Sequence, residues 1–274
     1  MLKVGWIDYA NCTPLLLQIQ PDLAAAGIEL RHGVPAQLNV ALERGEIDLC
    51  ISSSIEFARH AQCYQLLPGH CIGSSGAVQS VLLLTNRPVE ELAGVELLVT
   101  AESATSVVLL QILLAEHWGI AGCTLQATSL PWREALHAAP GVLVIGDSAL
   151  QARRDGGMAY QYDLGEAWYA MTGLPFVYAL WQINRSSVTQ KHAQIGRMLQ
   201  LLDQARDRIT AHITELADQA PEAQWLGKQP LADYWGHIDY TLDQAHLDGL
   251  GSFYRLACKQ GLLPSVPTPV FWEN

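Results

Sequence analysis

Small polar side chains gather at four corners of this 274-residue sequence, each where an apolar, strand-like run gives way to a helix-like one. The corners are Asp8-Tyr9-Ala10-Asn11-Cys12-Thr13-Pro14, Ser52-Ser53-Ser54, Ser103-Ala104-Thr105-Ser106 and Gly146-Asp147-Ser148. Side chains of these types do one of two things at such a place. They cap the following helix, because a Ser, Thr, Asn or Asp oxygen accepts a hydrogen bond from an unpaired N–H of the first turn. Or, with those N–H groups, they form a nest that holds an anion. Asn11 is thus a cap, or a neutral amide facing a cleft. Asp147 is a cap, or a group facing the ligand. Glu102, just before the third corner, opposes an anion, so the helix start must dominate there if that corner binds one. Ser80 is of another kind. It interrupts the apolar run Val78 to Thr85, where no helix needs capping. Its hydroxyl satisfies a neighbouring backbone carbonyl or contacts a ligand.

The chain has no G-x-S-x-G elbow, no P-loop and no G-x-G-x-x-G. His70 and Cys71 are adjacent but have no nucleophile architecture around them. Asp8, Glu56 and Asp147 are candidate general bases, and none has a close carboxylate partner in sequence. The six cysteines, Cys12, Cys50, Cys63, Cys71, Cys123 and Cys258, form no C-x-x-C pair, and the nine histidines no H-x-x-x-H. We expect reduced thiols, no metal site and no cofactor.

Composition narrows the partners. Hydrophobic residues make up 50% and charged ones 16%, against about 25% charged in ordinary soluble proteins. This fits a compact fold and not broad disorder. The net charge of −11 argues against nucleic acid, which needs a basic surface. A small anion stays compatible, since helix starts attract it locally. Met1 leads directly into the strand-like Leu2 to Ile7, without the ordered regions of a signal peptide. Apolar runs such as Val81 to Leu84 and Val107 to Leu110 fall far short of the roughly 18 residues that span a bilayer. We expect a cytoplasmic protein with no membrane partner.

The elements that must position the corners alternate. Strands are expected at Lys3–Tyr9, Ile28–His32, Ile47–Ser52, Val78–Thr85, Val95–Val99, Val142–Ile145 and Phe176–Asn184. Helices are expected at Thr13–Gln20, Pro35–Arg44, Ser54–His60, Thr105–Trp118 and Asp147–Arg153. After that, Ile195, Met198, Leu202, Ala205, Ile209 and Ile213 recur at helical spacing, giving one long helix over about Thr189–Asp218, and another follows at Asp243–Gln260. Strands alternating with helices imply α/β sheets with right-handed crossovers. Two such series make two lobes, 1–86 with 181–274 and 87–180, with hinges near Thr85–Pro88 and Ala179–Asn184. Ligands of such sheets sit at the carboxyl ends of strands, here between the lobes. The C-terminal aromatics Trp225, Trp235 and Tyr240 either cover the first lobe or form a homodimer contact.

At these same residues the sequence resembles the chorismate dehydratase family, in order and over nearly the whole chain. The matching stretches begin with Tyr9-x-Asn11-x-x-Pro14, Gly33-Val34-Pro35-Ala36-Gln37-Leu38-Asn39 and Gly45-Glu46-Ile47-Asp48-Leu49. Ser53-Ser54-Ile55-Glu56-Phe57-Ala58, Gly76-x-Val78-x-Ser80-Val81 and Glu102-Ser103-Ala104-Thr105-Ser106-Val107 follow. The last are Ile145-Gly146-Asp147, Asp163-Leu164-Gly165-x-x-Trp168 and Thr172-Gly173-Leu174-Pro175-Phe176-Val177. The resemblance implies a two-lobed fold like that of type 2 periplasmic binding proteins, with two mixed sheets. It also implies loss of water from chorismate to give 3-[(1-carboxyvinyl)oxy]benzoate, in menaquinone biosynthesis by the futalosine route. By that resemblance Asn11 and Ser80 are the catalytic positions. Tyr9, Ser53, Ser54, Thr105, Ser106, Gly146 and Asp147 bind substrate. Two departures stand out: Asp8 places an acid at a variable position of the family, and Cys12 next to Asn11 reads as packing. The rival readings are a cytosolic small-anion sensor of the same fold and the sibling 1,4-dihydroxy-6-naphthoate synthase.

Overall fold

A computed structural model describes residues 1–274 and has eleven strands. In chain order they are β1 (Leu2–Ile7), β2 (Ile28–Gly33), β3 (Leu49–Ser53), β4 (Tyr64–Ser74), β5 (Val81–Thr85) and β6 (Glu96–Thr100). Then come β7 (Thr124–Thr128), β8 (Gly141–Ile145), β9 (Tyr160–Asp163), β10 (Phe176–Asn184) and β11 (Asp239–Thr241). Of these, β1, β3, β5, β8 and β10 are near-continuous apolar, buried runs. The first sheet runs β11-β4-β10-β3-β1-β2 and the second β7-β6-β8-β5-β9. Both are mixed. β1 lies parallel to β2 and β3, while β10 runs antiparallel to β3 and β4. In the second sheet β6 is parallel to β7 and β8, and β5 is antiparallel to β8 and β9. The largest core cluster contains residues of both lobes, so the lobes are packed together.

β10 occupies the residues expected for it. β4 lies in a stretch where no element was expected from the sequence, and it contains Pro68, Gly69 and Gly73. It accommodates Pro68 and Gly69 at a register shift against β10, where Leu180 pairs with Cys71 but Gln182 with Leu66. Proline and glycine are tolerated at such irregularities. The long C-terminal helix spans His192–Gln219 and is kinked at His212. No helix is long and apolar enough to cross a membrane.

The crossings between lobes lie upstream of both expected hinges. The chain leaves the first sheet at Ser74 and joins the second at Val81; it leaves the second at Asp163 and returns at Phe176. β5 thus belongs wholly to the second lobe and β10 wholly to the first. An apolar run reveals that a strand is buried, not which sheet owns it. Ser80 correspondingly precedes β5 instead of interrupting it, just after Gln79 in the left-handed region at φ 65°.

The two crossings are tied to each other. Asp163 Oδ1 accepts from the N–H groups of Val78 (3.1 Å), Gly165 (2.9 Å) and Glu166 (3.2 Å), and Oδ2 from Gln79 N–H (2.6 Å). The bonds from Gly165 and Glu166 cap the helix Leu164–Thr172, and Val78 and Gln79 belong to the other crossing. Gly165 permits this approach, since a Cβ there would stand 2.5 Å from Gly76 O. Behind it, Trp168, Phe176 and Phe253 pack edge to face with centroids 5.0 to 6.2 Å apart. Such pairs contribute about 0.5–1.5 kcal/mol each beyond their buried area.

The C-terminal helices Lys228–Trp235 and Gln244–Lys259 complete the first lobe. Trp235 and Tyr240 are buried within the chain. The Trp235 indole donates to Ala10 O (2.6 Å) and the Tyr240 phenol to Asn11 O (2.8 Å). Of the two uses expected for these two aromatics, covering the first lobe is the one observed.

His246 on the last helix is buried between two carboxylates. Its Nδ1 lies 2.7 Å from Asp243 Oδ1 and its Nε2 3.2 Å from Asp239 Oδ2, to which Ser75 at the first crossing also donates. Burial alone lowers the imidazole's pKa, but the two carboxylates outweigh it and raise it. Its contribution to stability is therefore full below the unfolded value of about 6.5 and lost as pH rises through the raised folded value. Asp239 and Asp243 are both lowered, so theirs is present above an unfolded value of about 3.9 and lost as pH falls through the folded ones. Thermal melts are expected to decline from neutral into mildly alkaline pH in the parent and not in His246→Gln. An identical alkaline decline in both proteins would refute the assignment.

Candidate functional site

The carboxyl ends of β1, β3 and β8 meet between the lobes around a narrow cavity of about 70 Å³. β1 leads into Tyr9 and Asn11. Cys12, not Asn11, occupies the N-cap position of the helix Thr13–Ile19, and it makes no side-chain cap bond. Asn11 is therefore free of capping. Its amide lines the cavity, and Oδ1 is buried without a hydrogen-bond partner. Ser53, at the end of β3, precedes the helix Ser54–Arg59, also without a side-chain cap bond, and it too lines the cavity.

From the second lobe come Ser103 and Ser106. Ser103 caps the helix Ala104–Ile112, accepting from Ser106 N–H (3.2 Å) and donating to Ser106 Oγ (2.9 Å). Gly146, at φ +56°, starts the helix Gly146–Asp155, and a Cβ there would meet the Tyr9 ring at 3.1 Å. Glycine thus lets the second lobe close against Tyr9. Ser80 reaches the cavity from the first crossing, and Gly146 N–H donates to its carbonyl at 2.8 Å. Ile7, Ile72, Val78, Val81, Ile145 and Tyr178 supply apolar wall.

Of the nine residues expected at the site, Tyr9, Asn11, Ser53, Ser80, Ser106 and Gly146 line this cavity. Ser54, Thr105 and Asp147 do not. Their polar atoms are engaged in contacts between and within the lobes. Ser54 Oγ donates to Val177 O (2.8 Å), Thr105 Oγ1 accepts from Ile55 N–H (3.2 Å), and Asp147 Oδ1 accepts from Ala10 N–H (3.0 Å). The last two bonds join the lobes. A third joins Tyr9, whose phenol donates to Glu102 Oε2 at 2.6 Å. Two lining residues with hydroxyl groups, Ser103 and Tyr178, were not among the expected site residues. Ser103 was visible only as part of its corner. Tyr178 lay inside an apolar strand, where its phenol was the one available signal.

No carboxylate and no cationic side chain lines the cavity. Of the candidate bases, Asp8 is exposed and faces His32 Nδ1 (2.6 Å), and Glu56 faces His60 Nδ1 (2.7 Å). Asp147 has its pKa raised, by burial first, against the Ala10 N–H and with the help of the Glu222 and Glu102 charges. Burial and the Glu102 carboxylate push the Tyr9 phenol well up, so it stays a donor. Burial and nearby Asp8 and Asp147 push the Cys12 thiol up to about 12, which keeps it protonated and unsuited to attack.

A larger groove of about 480 Å³ lies alongside, bordered by Glu102, Trp132 and Ser148, and contains none of the nine expected residues. The polar corners converge on the smaller cavity and not on this groove. At about 70 Å³ the smaller cavity is tighter than the roughly 300–1,000 Å³ of ordinary ligand pockets.

Comparison with known proteins agrees with this architecture. The family model for menaquinone biosynthesis matches residues 2–259. A chorismate dehydratase of Thermus thermophilus is 34% identical over 268 residues, covering 91% of this chain and 93% of its own. One from Campylobacter jejuni is 30% identical, covering 77% and 78%. Among solved structures, the alkanesulfonate-binding protein of Xanthomonas axonopodis superposes with a TM-score of 0.72 at 18% identity, covering 96% of this chain and 94% of that one. A Candida albicans protein with the generic periplasmic binding protein fold gives 0.72 at 12%, covering 100% and 98%. These last two likenesses establish the shared fold.

Thr105→Val replaces the hydroxyl with a methyl of similar size and leaves Ile55 N–H buried without its acceptor. Urea unfolding is expected to show a loss of about 1–3 kcal/mol. A change within about 0.5 kcal/mol, typical of surface substitutions, would show that the bond does not hold the lobes.

Proposed function

The chain belongs to the menaquinone biosynthesis family, and from that premise we propose that it is a hydro-lyase converting chorismate to 3-[(1-carboxyvinyl)oxy]benzoate and water on the futalosine route. The observation that carries the reading is the lining of the cavity. The starts of three helices, Ser54–Arg59, Ala104–Ile112 and Gly146–Asp155, converge there with serine hydroxyls and one amide, and no charged side chain accompanies them. Helix starts and neutral donors suit a dianion.

In the reaction the ring hydroxyl leaves, and a proton leaves the neighbouring carbon that bears the enolpyruvyl ether. Aromatisation drives both departures. The protein's work is to bind, orient and exclude other fates. Asn11 presents an amide that is free of capping duty. Its N–H₂ donates to substrate oxygen, and it cannot serve as a base at neutral pH. Ser80 offers a hydroxyl from the first crossing. With no carboxylate in the lining, the substrate's own side-chain carboxylate takes the proton.

Incubation with chorismate is expected to yield the aromatic product, followed by its absorbance. Asn11→Ala is expected to lower kcat by about 10²–10³, the usual cost of one preorganised donor. Asp8→Asn, Glu56→Gln and Asp147→Asn should each retain turnover. If one of these three alone abolished turnover while binding persisted, substrate assistance would be wrong. Binding of chorismate without conversion would make the protein a sensor.

A further inference from the structure

We propose that Tyr234 is a positioning residue, which orients the Ser80 hydroxyl so that its proton points into the cavity; the inference rests on the dehydration reading above. Tyr234 lies on the helix Lys228–Trp235, behind the first crossing, and is buried without lining the cavity. Its phenol lies 3.0 Å from Ser80 Oγ and donates to it. A buried phenol needs a partner, and Ser80 Oγ is its hydrogen-bond partner here.

The direction of that bond decides what Ser80 can do. A serine oxygen has one proton and two lone pairs. Tyr234 takes a lone pair, so the serine proton must go elsewhere. The protein acceptor in reach is Val78 O, at 3.5 Å. That is long for O–H···O, whose usual distance is about 2.7–2.8 Å. The proton is therefore weakly held and available to an oxygen of a bound dianion. Burial keeps the Tyr234 phenol protonated, since its pKa is pushed well above the ordinary value, so it remains a donor at all physiological pH. A phenylalanine at this place would release the serine to rotate, and the hydroxyl would lose its fixed polarity.

The neighbouring residues give the arrangement its precision. Trp235 donates to Ala10 O and Tyr240 to Asn11 O. One short segment therefore holds the backbone on both sides of Asn11's peptide and the hydroxyl of Ser80. Tyr234 is the member that acts on a side-chain proton, and it is the one whose effect separates from packing.

The test is a double-mutant cycle between Tyr234→Phe and Ser80→Ala. Chorismate turnover by the parent is measured first; its absence defeats the dehydration reading. Affinity for the aromatic product is then measured by calorimetry in all four proteins, and kcat and KM in those that turn over. With Ser80 present, Tyr234→Phe is expected to weaken product binding and lower kcat by about tenfold each, less than the loss of a direct donor. In the S80A background the same substitution should change affinity less than about twofold. A turning-over parent with equal effects of Tyr234→Phe in both backgrounds would overturn the role and reduce Tyr234 to packing. If Tyr234→Phe fails to fold, 3-fluorotyrosine at position 234 keeps the ring and changes the phenol's acidity. A shift in product affinity confined to the Ser80 background supports the role, and no shift overturns it.

Discussion

One carboxylate, that of Asp163, fixes how the two lobes meet. It accepts from Val78 and Gln79 on the outgoing crossing and from Gly165 and Glu166 on the returning one. Bonds to an ionised acceptor are about twice as strong as neutral ones. They also satisfy N–H groups that neither sheet nor helix can serve: Val78 and Gln79 lie between strands, and Gly165 and Glu166 are in the first turn of a helix. Gln79's left-handed backbone is held in place by the shortest of these bonds. The next residue is Ser80. The position of a hydroxyl in the cavity thus follows from a carboxylate outside it.

The division of charge around the site follows a related logic. Burial raises the pKa of Asp147, and Glu222 and Glu102 lie near enough to add to the rise. A unit negative charge 5 Å from an anionic ligand costs about 3 kcal/mol at an effective dielectric of about 20. One helix start returns about 0.3–1 kcal/mol, up to ~2 in a partly buried setting. Three starts are therefore comparable to one misplaced carboxylate and cannot offset several. The structure keeps these charges out of the lining. Glu102 accepts from the Tyr9 phenol and Asp147 from Ala10 N–H, so the acids that would repel a dianion serve as bonds between the lobes.

Much of this was legible in the sequence, and the reasons are specific. Apolar continuity revealed β5, β8 and β10. Polar residues at strand-to-helix corners revealed Asn11, Ser53, Ser106 and Gly146 as neighbours of a cleft. What failed was ownership and direction. Nothing in Val78 to Thr85 tells which sheet takes the strand, so the hinges were placed too far along the chain. Ser54, Thr105 and Asp147 sit one residue from cavity-lining neighbours. A step of one residue at a helix start turns a side chain away from the cavity and into contacts within or between the lobes. β4 was hidden by Pro68 and Gly69, which are compatible with a strand only where its register shifts. Tyr234 had no local signal at all, because its partner is 154 residues away.

The same distribution of bonds determines how a ligand can enter. A cavity of about 70 Å³ does not admit a ring with two carboxylates until the lobes separate. The bonds from Tyr9 to Glu102, from Ala10 to Asp147 and from Ile55 to Thr105 each join one lobe to the other, and each must break. The Asp163 cluster need not, since it joins the two crossings at their own boundary. Nor must the bond from Tyr234 to Ser80, if Ser80 moves with the crossing and not with β5. Opening then pivots near Ser80, and the polar groups on the first lobe stay arranged while the second swings away. An anion that settles on Asn11 and Ser53 would draw the starts of Ala104–Ile112 and Gly146–Asp155 toward its charge. Closing and binding would then be coupled, because two of the three helix starts at the cavity, Ala104–Ile112 and Gly146–Asp155, are carried by the second lobe.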